Sequence, residues 1–264
     1  MKNIIFLEGV SGVGKSTTVS MLNEKLQSLG YNVSCHFEGD PDGPLDLCWA
    51  AYLTISEYEK IFHSYPEFTK ELSENIIFSG EYVLLRYQVA QSHLGRTKLY
   101  SPELYEILRK KEFCYNPTNI ASLSKFTEVF ANLWERFAKG SEVEMDYVIF
   151  DASLVSHMTS DMIRNYNASI DETIKHLEVL LETIKQFNPI VFYLSSQNVG
   201  ERLKDAIKSR GQTPPSDEQI GFWERRKQLD IPILSRLSVE SHIKDITSGN
   251  WCTVIDEIVA YLTK

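Results

Sequence analysis

The sequence predicts a single α/β domain in which a large helical insertion separates the second strand from the third. An apolar run at Asn3–Leu7 is followed by a glycine-rich stretch and a helical pattern. Further short apolar runs alternate with helical patterns in residues 141–264, whereas about residues 46–140 show helical patterns and no convincing strand. We therefore assign residues 1–45 and 141–264 to the core, a division that a chain of 264 residues can accommodate.

The glycine-rich stretch is a complete match to the pattern G-x-x-x-x-G-K-[ST]. It lies between the first strand and a helix whose apolar residues are spaced as far as Leu29, with Gly30 where a helix would end. This strand–loop–helix context is the one that a phosphate-binding loop requires. The nucleotide-binding residues that the motif predicts are Gly9, Val10, Ser11, Gly12, Val13, Gly14, Lys15, Ser16 and Thr17.

Each residue type in this motif has a physical reason. Glycines allow the backbone N–H groups to converge on phosphate oxygens, and the positive end of the helix adds to their attraction. Lys15 should reach the β- and γ-phosphates, Ser16 should bind Mg²⁺, and the Thr17 hydroxyl can reach a phosphate oxygen. The alternative, a glycine-rich turn that only caps a helix, fits the full match poorly. The predicted cofactors are therefore ATP and Mg²⁺.

Composition narrows the classes of function. A net charge of −9 argues against broad binding of nucleic acid or a membrane surface. The four cysteines are widely scattered without a C-x-x-C pair, which predicts reduced thiols in a cytoplasmic protein instead of disulfides or a zinc site. The histidines also lack metal-ligand spacing. A strand that begins at Asn3 leaves no room for a signal peptide, and no apolar run approaches membrane-spanning length. The oligomeric state is open, with a homodimer as one option.

The remaining strands follow from short apolar runs, and the insertion from longer helical patterns. The predicted strands are Asn32–Phe37, Tyr147–Phe150, Ile190–Leu194 and Ser241–Ile246. The predicted helices of the insertion are Leu47–His63, Pro66–Gln91, Pro102–Lys111 and Ser122–Ala138. Later in the chain, Ser169 and Glu172 form a capping-box pattern. The second strand ends in a Gly/Pro/Asp-rich loop at residues 38–44, where open α/β sheets bind ligands.

Asp151 directly follows the third predicted strand. A carboxylate at that position is the expected second anchor for Mg²⁺, although it could instead cap the following helix. The next residue is Ala152, so the glutamate that activates water in motor-type ATPases is missing there. No N-K-x-D motif for guanine recognition is present either. These observations disfavour a motor ATPase and a GTPase switch.

The sequence resembles the P-loop nucleoside and nucleotide kinases, among them thymidylate kinase and the deoxynucleoside kinases. The resemblance is carried by FLEGVSGVGKSTT, by an acidic residue after the second strand, by Asp151, and by NPIVFYLSSQNVGERLKDAIKSRG. It implies a three-layer P-loop NTPase fold with a five-stranded parallel sheet. It also implies a lid at about residues 202–228 that supplies arginines to the transferred phosphoryl group. Arg210 is the matching residue, with Arg202 before it and Arg225 or Arg226 after it.

The resemblance also suggests residues on the acceptor side. Glu38 matches the carboxylate that accepts the proton of the substrate hydroxyl, and Asp40 is an alternative that could equally form an Asx-turn. The stretch EYVLLRYQVAQ is similar to a helix that carries an acceptor-binding arginine, which would be Arg86. Gln88 or Gln91 could then contact the edge of a base.

Two departures from the family concern the acceptor. The arginine that follows the third-strand carboxylate in nucleoside kinases is replaced here by Ala152, and FEGDPDGP replaces the R-E-P-G-G-T-like loop of thymidylate kinase. Fewer cations for a second phosphate favour an acceptor with a free hydroxyl, such as a nucleoside-like molecule, a sugar or an antibiotic. The predicted function is thus an ATP- and Mg²⁺-dependent small-molecule phosphotransferase. The alternatives are a non-catalytic nucleotide-binding regulator and a nucleotidyl transferase.

Overall fold

The computed structural model describes residues 3–40, 43–91, 95–116, 118, 120–140 and 144–264. Its strands are β1 (Asn3–Glu8), β2 (Val33–His36), β3 (Ala50–Thr54), β4 (Ile76–Phe78), β5 (Tyr82–Arg86), β6 (Gln88–Gln91), β7 (Gly95–Lys98), β8 (Tyr147–Asp151), β9 (Ile190–Ser195) and β10 (Glu240–Asp245). Its α-helices are α1 (Lys15–Ser28), α2 (Ile55–Ser64), α3 (Thr69–Glu74), α4 (Pro102–Arg109), α5 (Leu123–Ala138), α6 (Val155–Arg164), α7 (Ile170–Ile184), α8 (Val199–Ser209), α9 (Asp217–Leu234) and α10 (Trp251–Leu262). Short 3₁₀ turns cover Pro66–Phe68 and Lys185–Phe187.

The core is a five-stranded sheet in the order β10-β9-β1-β8-β2, in which every neighbouring pair is parallel. This confirms the mixed α/β fold and the five-stranded parallel sheet. All five predicted core strands are present, with ends that differ from the prediction by at most one residue. Parallel strands covered on both faces are built from continuous apolar runs, which is why these segments were recognisable in the sequence.

Helices cover both faces of this sheet and divide its core into two layers. Along β1, Ile4 and Phe6 face one hydrophobic cluster, whereas Ile5 and Leu7 face the other, as the alternation of side chains along a strand requires. The first cluster includes the buried faces of α5 and α7, and the second includes those of α1 and α10. The central strand therefore carries its buried side chains into both layers.

The insertion differs from the prediction, because it is not purely helical. It contains an antiparallel sheet in the order β3-β5-β4 and a hairpin of β6 and β7. The predicted helix Pro66–Gln91 is wrong over most of its length. The predicted helix Leu47–His63 is wrong over β3, whereas its second half corresponds to α2. The physical reason is visible in β5, whose five residues are all buried. A short apolar run that is buried on both faces has no periodicity to separate strand from helix.

Several helix predictions are confirmed. The segments predicted at Pro102–Lys111 and Ser122–Ala138 correspond to α4 and α5. The capping box at Ser169 and Glu172 forms at the start of α7, with both reciprocal hydrogen bonds present. Helix α6, which begins four residues after Asp151 and carries the Ser156 side chain described below, was not predicted from the sequence. No helix in the described part of the chain has the length and apolarity needed to span a membrane.

Candidate functional site

A polar cavity of about 310 Å³ opens at the carboxyl-terminal edge of the sheet. It lies where β1, β8 and β2 end next to one another, the position at which open α/β sheets hold ligands. Its wall contains residues from the loop after β1, from the start of α1, from the ends of β2 and β8, and from α8. The lining residues are Ser11, Gly12, Gly14, Lys15, Ser16, Thr17, Glu38, Asp151, Ala206, Ser209 and Arg210.

The loop of residues 9–14, called the glycine loop below, has a backbone that requires glycine. Gly9 has φ of 138°, and a Cβ there would lie 2.5 Å from the carbonyl oxygen of Leu194. Gly14 has φ of 85°, and a Cβ there would lie 2.6 Å from the ring of Trp251. Both angles lie in the region that favours glycine, and both contacts leave no room for a side chain. The loop is therefore packed tightly between β9 and the first residue of α10.

Lys15 folds back over the glycine loop. Its ammonium group donates hydrogen bonds to the carbonyl oxygens of Gly9 at 2.9 Å and Val10 at 3.3 Å. Lys15 is the first residue of α1, so its charge lies beside the positive end of that helix. Ser16 and Thr17 follow it on the cavity wall and are exposed. The arrangement concentrates positive charge and hydroxyl groups at one end of the cavity, which suits an anion.

Asp151 supplies a buried carboxylate next to these groups. The residue is 3% exposed, and its Oδ2 accepts a hydrogen bond of 2.5 Å from the Ser16 hydroxyl. Its Oδ1 is buried and has no hydrogen-bond partner in the described structure. Burial raises the pKa of Asp151, while the Lys15 ammonium and the Ser16 hydroxyl oppose the rise. A buried carboxylate oxygen without a partner is costly, and a divalent cation would satisfy it.

Glu8 supports the glycine loop through the start of α6, and this role was not predicted from the sequence. Its fully buried carboxylate accepts hydrogen bonds from the backbone N–H of Leu154 at 2.8 Å and of Ser156 at 2.7 Å, at the start of α6. The Ser156 hydroxyl in turn bonds the backbone of Gly9. Burial raises the pKa of Glu8, and the two backbone donors at the helix N-terminus oppose this rise. The missed signal was a carboxylate within an otherwise apolar strand.

Arg226 fixes the same end of α6 from the other side. It is 1% exposed and donates to the carbonyl oxygens of Val155 at 2.7 Å and Ser156 at 2.9 Å. Its Nε donates to the buried Asp230 carboxylate at 2.7 Å. Arg226 is therefore fully used inside the fold, whereas Arg225 is exposed. Arg226 can influence the glycine loop only through α6.

The two acidic candidates after β2 lie in different surroundings. Glu38 is exposed and lines the cavity, and both Glu38 and Asp40 are close enough to raise the pKa of Asp151. Asp40 does not line this cavity, and its Oδ2 accepts a hydrogen bond of 2.8 Å from the backbone N–H of Phe37. This bond closes a turn with a residue three positions earlier, so it differs from an Asx-turn, in which the aspartate accepts from a residue that follows it. Pro41 and Asp42, in the same loop, lie outside the described residues.

Arg210 and Arg202, two of the arginines predicted to belong to the lid, also lie in different surroundings. Arg210 follows the last residue of α8, is exposed, and lines the same cavity as Ser16. Arg202 instead donates to the Ser196 hydroxyl at 3.1 Å and to the carbonyl oxygens of Ile246 and Thr247. It thus joins the loops that follow β9 and β10. Of the two, only Arg210 is placed for contact with a molecule in this cavity.

Arg86 and Gln88 lie on strands, so the expectation that they project from a helix is wrong. Arg86 is the last residue of β5 and is 8% exposed. Its guanidinium donates to the carbonyl oxygens of Asp46 at 2.9 Å, Gly43 at 3.1 Å and Asp40 at 3.3 Å. Gln88 is buried in β6 and accepts a hydrogen bond of 3.0 Å from the Tyr105 hydroxyl. Neither lines the cavity, and the side chain of Gln91 lies outside the described residues.

Comparison with known proteins adds little to this site. No protein-family model matches the sequence, and no curated protein matches it. The structure is similar to that of the YorR protein from Bacillus subtilis in complex with phosphorylated GDP, with 12% sequence identity and a TM-score of 0.46, over 98% of this chain and 95% of that chain. A similarity this weak supports no inference about activity. The case for function therefore depends on the residues of the cavity.

Proposed function

We propose that this chain is an ATP- and Mg²⁺-dependent kinase that transfers the γ-phosphoryl group to a small hydroxyl-bearing acceptor. The observation that carries the proposal is the pairing of Asp151 with Ser16 beside Lys15. A lysine and backbone N–H groups for phosphates, next to a hydroxyl and a carboxylate for a metal ion, are what the P-loop arrangement requires. The glycine angles support the same interpretation, because they leave the loop backbone free of side chains.

The residues present fit Mg²⁺. Ser16 and Asp151 offer oxygen ligands, and the Asp151 Oδ1 has no other partner in the described structure. When bound there, Mg²⁺ would supply positive charge that offsets the negative charge of the phosphates. Its presence would also lower the pKa of Asp151, since a cation replaces the proton that burial favours.

Lys15 and Arg210, which both line the cavity, would hold the phosphoryl group. The Lys15 ammonium now bonds two loop carbonyls, and a phosphate above the loop would offer it a stronger, charge-assisted partner. Arg210 is exposed at the end of α8 and could close over the equatorial oxygens of the transferred group. Catalysis would arise mainly from positioning and from stabilisation of negative charge.

Glu38 is the best candidate for the group that takes the proton of the acceptor hydroxyl. Its side chain lines the cavity with Lys15, whereas the Asp40 carboxylate accepts a hydrogen bond from the backbone N–H of Phe37. The cationic side chains on the described cavity wall are Lys15 and Arg210, and Arg86 is committed to carbonyl oxygens elsewhere. That distribution favours an acceptor without a phosphate of its own. A cytoplasmic location and a homodimer stay predictions.

The test is a screen for ADP release from ATP and Mg²⁺ across nucleosides, nucleotides, sugars and aminoglycosides. We expect at least one hydroxyl-bearing compound to accelerate ADP release and to appear as its phosphate ester by mass spectrometry. Release of pyrophosphate would instead identify a nucleotidyl transferase. Slow ADP formation that no compound accelerates, together with a partner protein captured only with nucleotide, would identify a regulator and overturn the kinase proposal.

A further inference from the structure

Asp46 lies where the chain enters the insertion, and both oxygens of its carboxylate bond the backbone. The residue is 7% exposed. Its Oδ1 accepts a hydrogen bond of 2.7 Å from the backbone N–H of Cys48, two residues further along the chain. Its Oδ2 accepts a hydrogen bond of 2.6 Å from the backbone N–H of Gly39, seven residues earlier. The carboxylate therefore ties the loop that follows β2 to the first residues of the insertion.

The two hydrogen bonds of Asp46 have different consequences. The bond from Cys48 closes an Asx-turn and is local. The bond from Gly39 is not local, and it fixes the peptide that directly follows Glu38. Gly39 is buried with φ of 80°, so its N–H is directed by a backbone conformation that favours glycine. A buried N–H needs a partner, which the Asp46 carboxylate supplies. The backbone position of Glu38 thus depends on the Asp46 side chain.

The other residue that Asp46 bonds lies next to the side chain of Glu38. A carboxylate oxygen of Glu38 lies within 4.8 Å of the Cys48 Sγ and of a ring nitrogen of His157. The ring of His157 is itself held in place, because its Nδ1 is 2.7 Å from the Tyr115 hydroxyl. Asp46 therefore bonds the peptide after Glu38 and also a residue whose side chain neighbours the Glu38 carboxylate.

Asp46 is stabilised as a carboxylate in this buried position. Burial alone would raise the pKa of Asp46, but His157, Arg86 and the two backbone N–H donors outweigh burial and lower it. Arg86 also donates to the backbone carbonyl oxygen of Asp46 at 2.9 Å. An ionised carboxylate accepts from two N–H groups at once, and such charge-assisted bonds are stronger than those between neutral groups. The link between Asp46 and the Gly39 peptide is therefore a firm one.

We propose that Asp46 is a positioning residue for Glu38, the group that would take the proton of the acceptor hydroxyl. This inference rests on the kinase function proposed above. A general base must lie within hydrogen-bond reach of the proton that it removes, and a displacement of about 1 Å can lower the rate about 100-fold. Among the described residues, Asp46 is not one that lines the cavity. It would act only by holding the Gly39 peptide and, with it, Glu38.

The test is Asp46→Asn, made in the unmodified chain and in Glu38→Gln. An amide side chain has one acceptor oxygen and an NH₂ group, so it cannot accept from both backbone N–H groups. In the unmodified chain we expect kcat to fall about tenfold, while the KM for ATP changes less than about twofold. In Glu38→Gln the same substitution should lower kcat less than about twofold, because the base that Asp46 positions is already absent. Acceptor-dependent ADP release measures kcat in all of these proteins.

Two outcomes would overturn the proposal. One is an unchanged kcat in Asp46→Asn. The other is a loss of kcat that is as large in Glu38→Gln as in the unmodified chain, which would mean that Asp46 only maintains the fold. Asp146→Asn is the matched control, because Asp146 also accepts from a backbone N–H, that of Asn32 at 3.0 Å, but does so at the amino end of β2. Asp146→Asn should keep the kcat of the unmodified chain.

A second variant covers the case in which Asp46→Asn does not fold by circular dichroism. Asp46→Glu keeps both acceptor oxygens, but its additional methylene group would displace the Gly39 peptide. It should lower kcat in the unmodified chain and not in Glu38→Gln, and equal losses in both would overturn the proposal. Failure of the kinase proposal gives a different result, because no compound would then accelerate ADP release by the unmodified chain.

Discussion

The cavity edge and the insertion place their polar residues in opposite ways. At the cavity edge, Lys15, Ser16 and Glu38 reach open space from the ends of strands and from the start of a helix. In the insertion, Arg86 and Gln88 point inward and bond protein atoms. Polar residues thus line a cavity in one region and bond other parts of the fold in the other. The comparison teaches that the role of a polar residue must be assigned from the atoms that it bonds. Its position in the sequence does not show whether it lines a cavity or stabilises the fold.

The largest expected effect is at the cavity edge. Lys15→Ala should reduce phosphoryl transfer by about 10³-fold or more, because it removes the charge that stabilises the transferred group. The free energy of unfolding should change little, since Lys15 bonds only two loop carbonyls. Steady-state kinetics and thermal unfolding provide the two measurements. Lys25→Ala, at a surface lysine of the same helix, is the matched control; activity equal in both variants would remove Lys15 from the mechanism.

In the insertion, Arg86→Met should act on stability. It would leave three carbonyl oxygens without their buried donor and should cost about 3 kcal/mol of unfolding free energy. Chemical denaturation measures this cost. Arg109→Ala, at a half-exposed arginine paired with Glu106, should change stability by less than about 0.5 kcal/mol. An Arg86 variant of normal stability but weakened acceptor binding would instead support the substrate role that the sequence suggested.

Glu38 and Asp40 test the comparison within a single loop. Glu38→Gln should lower kcat by about 100-fold while ATP affinity stays nearly unchanged, as expected for loss of a general base. Asp40→Asn should affect kcat less, because its carboxylate caps a turn. Its effect should appear mainly in thermal stability. Equal losses of kcat in the two variants would mean that the loop is needed only as a structure.

The smallest effect is expected from a buried histidine under the insertion. Burial lowers the pKa of His176 from 6.5 to about 3, and the neighbouring His157 lowers it further. The folded state therefore keeps His176 neutral while the unfolded chain gains a proton below pH 6.5, so stability is lost as pH falls. By pH 5 this linkage should cost about 2 kcal/mol relative to pH 8.

His176→Gln should flatten this part of the profile, and His63→Gln, at an exposed histidine, should not. Urea denaturation at several pH values between 8 and 5 measures the difference. Parallel profiles for the unmodified chain and His176→Gln would show that this imidazole is not held neutral by the fold.

The parts of the fold and of the site that could be predicted from the sequence are those that depend on neighbouring residues in the chain. The core strands and the glycine loop were predictable because their residues are contiguous and their pattern is local. Strand β5 was not, since its buried run has no helical or alternating period. The support from Glu8 and Arg226 depends on α6, which is more than 140 residues from Glu8 and about 70 from Arg226.

The measurement that tests the central claim most directly is calorimetric titration of the chain with ATP, with and without Mg²⁺, alongside Asp151→Asn. The account predicts that ATP binds with Mg²⁺ and that affinity falls about tenfold or more when either Mg²⁺ or the Asp151 carboxylate is removed. Failure to bind any purine triphosphate in the presence of Mg²⁺, by protein that is folded, would contradict it.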